Sequence, residues 1–250
     1  PPLVISGAII SDVHEFYPYQ GAVPLGLPSL ELAFSGQTIY TDNDGGFITT
    51  VNGPETIDVE LQGRWSTVFT DGITPEVPVD FLDGYNALNL SNLGNVKERS
   101  AYRSATLIHD HMKSLMPNFT GLDWSIPTNI DIEGECNAFY DGQSINFYDA
   151  GGGCNPTSLI ADVVWHEYGH GINGYFYNSL NANFNNGAMN EGYADLWAMS
   201  LGDIAEIGKG FYTNSEDGIR VYDEDPKVYP EDLVGQVHAD GEIICGAWYD

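Results

Sequence analysis

The chain has 250 residues, enough for one large domain or for a medium domain and a small one. Its 36 acidic residues against 8 basic ones give a net charge of −28, which excludes nucleic acid and anionic membrane surfaces as partners, because both require clustered Lys and Arg. No apolar run is long enough to span a bilayer, and the 42% hydrophobic content is sufficient for a sizeable core.

The opening Pro1-Pro2-Leu3 has no initiator Met, basic stretch or apolar leader, so a processed or trimmed chain is expected. Residues 1–90 then read as a β-rich, sandwich-like region. Residues 3–10 are an apolar strand, and residues 30–34 and 57–61 alternate at period two. Residues 38–41 and 46–51 flank Asp42-Asn43-Asp44-Gly45, which predicts a hairpin. The segment 71–95 is rich in Pro, Gly and Asn and reads as a connection.

Residues 91–250 carry a different pattern. Helical periodicity begins near Val96, with Tyr102, Ala105, Ile108, His109, Met112 and Met116 on one stripe that stops at Pro117. His109 and His111, two positions apart, fall on different faces, so a packed or exposed role is expected for each rather than shared metal binding. Strand character returns over 128–149. A second helix is predicted with Asn155 as N-cap and Pro156 in first position, ending near 171–174. A third runs over about 188–201, and a turn-rich acidic stretch follows until Val237. The expected fold class is therefore α+β.

Three cysteines are present. Cys136 and Cys154 flank a short strand-and-turn segment, which suits a bridge. Cys245 is then left as a free thiol or as the partner of a cysteine outside this chain. The alternative is three buried free thiols. A bridge fits an oxidising, extracellular compartment.

The chemistry concentrates in His166-Glu167-Tyr168-Gly169-His170. Residues four apart lie about 40° apart around a helix, so both imidazoles reach one cation. Glu167 sits beside that cation without ligating it, placed to take a proton from water. A catalytic metal of this type needs a third protein ligand and an open position. Met189-Asn190-Glu191-Gly192-Tyr193-Ala194-Asp195 on the next helix offers Glu191 as that ligand. One turn on, Asp195 can accept the free N–H of a ligating histidine. The plain alternatives are a buried helix with two satisfied histidines and an amphipathic helix with two exposed acids.

These segments resemble the zinc proteases that pair H-E-x-x-H with a distant Glu. His166 through Ile172 is similar to the fungalysin signature. Asn190-Glu191 with Asp195 is similar to the thermolysin N-E-x-x-x-D segment. Asn137-Ala138-Phe139-Tyr140 resembles the thermolysin edge strand that holds a peptide substrate, and residues 218–220 and 237–242 resemble fungalysin segments. The resemblance covers about 96–250. It implies a thermolysin-like catalytic region with an active-site helix beside a mixed sheet, acting as a secreted zinc endopeptidase on peptide or protein substrates. His166, His170 and Glu191 would bind zinc, Glu167 would be the general base and His238 the oxyanion donor. Asp195 and Asn190 would support the ligands. Asn137, Ala138, Val163 and Arg220 would line the substrate cleft, with Arg220 on a substrate carbonyl or in a salt bridge.

The sequence departs from the family where a tyrosine is expected between the two metal helices: Tyr175 and Tyr177 come early, and the matching stretch is Asn-rich. The family's C-terminal helical lobe is expected to be missing or truncated here, supplied by a further chain or lost by cleavage. Tyr222-Asp223-Glu224-Asp225-Pro226 and Glu216-Asp217 are the best clusters for a structural calcium ion, although such charge runs are more often solvated loops. A second functional reading is a protease-like binding or structural module of a larger extracellular assembly.

Overall fold

A computed structural model describes residues 2–249 and gives a mixed α+β fold. Strand β1 (Leu3–Val13) outruns the expected 3–10 and buries Ile5, Ile9 and Val13 completely on one face. It is followed by β2 (Val23–Gly26), β3 (Glu31–Phe34), β4 (Gln37–Tyr40), β5 (Gly46–Val51), β6 (Glu55–Glu60), β7 (Ser66–Thr70), β8 (Glu76–Phe81) and β9 (Gly84–Asn89). Strand β1 pairs antiparallel with β2 and β5 and parallel with β9, while β3–β4 and β6–β8 form separate two-stranded sheets.

Two sequence expectations are corrected here. The turn at Asp42–Gly45 exists, closed by Asp42 N donating to Gly46 O at 2.8 Å, but its flanking strands do not pair as a hairpin. Strand β4 pairs instead with β3 across the two-residue loop Ser35-Gly36, where Gly36 has φ 89°, and β5 pairs with β1. A short loop with a residue at positive φ selects the tighter hairpin. The presumed connection 71–95 contains β8 and β9. Pro78 masked β8, yet it sits on the exposed face of a strand bonded only to β6, where its missing N–H is tolerated.

Helix α1 (Val96–Leu115) starts at a capping box. Asn95 accepts from Lys97 and Glu98 N–H groups, and Glu98 accepts from Asn95 N–H. Its buried stripe includes Tyr102, Ala105, Ile108 and Met112, and Tyr102 Oη donates to Pro28 O at 2.9 Å. The remaining elements are β10 (Ile126–Ile132), β11 (Ala138–Tyr140), β12 (Ile145–Tyr148), α2 (Ala161–Ser179), α3 (Gly187–Gly202), β13 (Glu206–Ile207), β14 (Arg220–Val221) and α4 (Val237–Tyr249). A four-stranded sheet runs β11-β12-β10-β7, with β11 antiparallel at the edge and β7 drawn from the first ninety residues. Helix α2 packs against α1, α3 and the β11–β12 end of this sheet.

Helix α2 does not begin at Asn155. Asn155 N donates to Phe211 O and its side chain to Gly210 O, which commits it to another loop, and Ile160 is extended before the helix starts. Among the described residues, no helix is long and apolar enough to cross a membrane. Cys136 and Cys154 are bridged, tying the residue before β11's approach to the loop before α2. Cys245 is free and fully buried, its Sγ 3.2 Å from Met199 Sδ in the core between α4 and α3.

Candidate metal centre

The helical spacing of α2 turns His166 and His170 the same way, and their Nε2 atoms lie 3.1 Å apart. Helix α3 approaches closely at Gly169, where an added Cβ would come within 3.1 Å of Ala194 Cα. That approach brings Glu191 Oε2 to 3.2 Å from His166 Nε2 and 3.7 Å from His170 Nε2. Ligands held about 2.0–2.1 Å from a tetrahedral ion are about 3.3 Å from one another, so these three edges fit one small cation. Glu191 Oε2 is buried without a hydrogen-bond partner, as is His170 Nδ1. A buried carboxylate oxygen facing two ring nitrogens is the arrangement a metal ion satisfies. Among the described residues this is the single group of three or more His, Cys, Asp or Glu side chains close enough to hold one.

Asp195, one turn after Glu191, is fully buried and takes donors from three directions. His166 Nδ1 lies at 2.6 Å, the Arg220 guanidinium contacts both carboxylate oxygens, and Tyr222 Oη completes the set. Burial works against its charge, but Arg220 and then His166 hold the carboxyl well below the usual range. Burial opposes charge on His166, but Asp195, accepting from Nδ1, and then Glu191 raise the ring to about 10, so a cation held at Nε2 would displace the proton there while the Nδ1–H stays on Asp195. Burial opposes charge on Glu191 too, and His166 nevertheless brings it down to about 2. His170 is lowered to about 4 by burial and by His166, which keeps its ring neutral and able to ligate.

Glu167 is buried beside this group, and burial pushes its carboxyl up to about 7 against the pull of His166. With His166 it lines a cavity of about 240 Å³, walled also by Asn137, Ala138, Val163 and His238. Ala138 begins the edge strand β11, and Asn137 O accepts from Tyr148 N and Thr157 Oγ1, which fixes the chain entering it. His238 lies in the first turn of α4 with Nε2 3.3 Å from Glu191 Oε2. Helix α4 reaches this place through a glycine crossing. A Cβ on Gly192 would collide with Ile244 Cγ2 and Gly241 O, and one on Gly241 would meet Gly192 N at 2.9 Å.

Other candidates take different places. Arg220 reaches the cavity and forms the salt bridge to Asp195 through Nε and Nη2. Asn190 Oδ1 accepts from Asn173 Nδ2 at 2.9 Å and so links α3 to α2. Glu216, Asp217, Asp223, Glu224 and Asp225 are exposed and form no group of three around an ion site. Tyr222, grouped by sequence with that acidic run, is buried under Asp195. Its spacing from Arg220, two residues along an extended segment, was the available signal that both side chains share one face. His109 lies beneath α2, its Nδ1 2.8 Å from Tyr168 Oη and its ring stacked 3.8 Å from Trp65. His111 Nε2 meets Ser200 Oγ at 2.9 Å. Neither a family model nor a curated protein sequence matches this chain.

Proposed function

We propose that this chain is the catalytic part of a secreted zinc endopeptidase resembling the thermolysin and fungalysin families. The observation that carries the reading is the convergence of His166 Nε2, His170 Nε2 and Glu191 Oε2 at edges of 3.1, 3.2 and 3.7 Å, with Glu167 buried alongside. Two imidazoles and one carboxylate favour zinc over calcium or magnesium, which prefer oxygen alone. When bound, the ion supplies a Lewis acid that polarises a peptide carbonyl and acidifies water.

The rest is the work of the chain. Glu167, buried beside the three ligands, takes a proton from the attacking water and delivers it to the leaving amine. His238 donates a hydrogen bond to the oxygen that gains charge. The edge strand β11 accepts an extended peptide by adding it as a further strand, with Asn137 and Ala138 at the point of contact. Val163 forms apolar wall beside the cut. Asp195 keeps His166 turned toward the ion, and Arg220 with Tyr222 keeps Asp195 charged and fixed. The Cys136–Cys154 bridge suits an extracellular setting.

The test is zinc content and casein cleavage for the wild type and Glu167→Gln, with a chelator control. The expected result is bound zinc in both and a loss of cleavage on the order of 10²–10⁴-fold in the variant. A wild type that holds no zinc, or equal cleavage by both proteins, removes the proposal.

A further inference from the structure

His238 has two ring nitrogens, and only a protonated Nε2 can serve the cleft. In a neutral ring one nitrogen donates and the other accepts, so the partner of Nδ1 decides what Nε2 offers. That partner is Gln236 Nε2, at 2.9 Å. An amide viewed alone could point either its oxygen or its nitrogen at the ring. Here the second contact removes the choice: Ala239 N–H donates to Gln236 Oε1 at 2.7 Å, so the oxygen faces the helix backbone and the NH₂ faces the ring. Gln236 immediately precedes α4, and its side chain caps the third residue of the helix. An amide nitrogen only donates, which makes Nδ1 the acceptor and puts the ring proton on Nε2.

We infer that Gln236 is a positioning residue that locks neutral His238 in the Nε2–H tautomer and aims its donor into the cleft. The inference deepens the endopeptidase reading and rests on it for the use made of the donor. A single side chain thus performs two tasks, starting a helix and choosing a tautomer, and no carboxylate is needed behind the histidine.

Two variants separate the tasks. Gln236→Ser keeps a capping oxygen for Ala239 N–H but is too short to reach Nδ1. Gln236→Met keeps the length and loses both contacts. Nitrogen-15 NMR of the histidine rings, recorded on the zinc-loaded chain without substrate, reads the tautomer directly. The wild type is expected to show His238 protonated at Nε2 alone, and both variants a mixture. In the peptidase assay kcat is expected to fall about three- to tenfold in Gln236→Ser, the weight of one lost hydrogen bond, with KM within twofold. A wild-type ring protonated at Nδ1, or a Gln236→Ser ring with an unchanged single tautomer, overturns the inference. An unchanged kcat in Gln236→Ser beside a reduced one in His238→Ala also overturns it. Because the NMR arm needs no activity, a chain that cleaves nothing removes the endopeptidase reading while the tautomer result stands separately.

Discussion

Replacing His109 with Gln should remove a defined part of the chain's sensitivity to acid. His109 is fully buried, stacked on Trp65 and hydrogen-bonded to Tyr168 within the motif helix. Burial, only partly offset by Asp123, lowers its folded pKa from 6.5 to about 4. The folded state therefore binds fewer protons than the unfolded state between those values, so stability rises with pH across the window and is lost as pH falls through it. At about 1.4 kcal/mol per unit, the full difference is about 3 kcal/mol, and the part lost between pH 7.5 and pH 5 is about 2 kcal/mol. Gln does not titrate and can still meet the Tyr168 hydroxyl. Its own cost is a constant offset. Urea unfolding of both proteins at pH 7.5 and pH 5 should show the wild type losing about 2 kcal/mol more than His109→Gln over that interval. Contributions of all other groups are common to both and cancel. Parallel losses would mean that His109 is not held neutral by its burial, and the reasoning would fail.

Gly192→Ala forces a methyl into Ile244 Cγ2 and Gly241 O, so it should destabilise by about 1–3 kcal/mol in urea unfolding and lower kcat by displacing His238. Asp195→Asn should weaken zinc binding by about 10–100-fold in a competitive chelator titration, because His166 loses the charged acceptor that orients it. Replacing Cys136 and Cys154 together with Ser should cost about 3 kcal/mol, given the sequence separation of 18, and should raise KM because the approach to β11 loses its tether.

Much of the site was legible because helix geometry maps spacing onto space directly. The four-residue interval in α2 and the Glu191-to-Asp195 interval in α3 each define a face, and the two faces meet where Gly169 lets the helices close. Helix α1 was readable for the same reason, with Asn95 and Pro117 as its local limits. Strand pairing was not, because it depends on partners far along the chain. Nothing within 66–70 announces that β7 will lie beside β10, nor does 84–89 announce β1. The start of α2 was misread because Asn155 has good capping chemistry but spends it on Gly210 and Phe211, fifty-five residues or more away. Tyr222 was obscured by its acidic neighbours. Its convergence with Arg220 on Asp195 is a tertiary event that local composition conceals.

The glycine crossing of α3 and α4 divides α4 into two unequal arms. Gly241 bears on Gly192 three residues from His238 and eight from Tyr249. At helical rise those arms are about 4.5 Å and about 12 Å. A rocking of α4 by about 10° would then carry its Tyr249 end by about 2 Å but His238 by only about 0.8 Å. The short arm belongs to the chemistry and the long arm to the exposed aromatic end, where Trp248 and Tyr249 face solvent. For any rigid rocking about this crossing, lever geometry makes the displacement at His238 less than half of that at Tyr249.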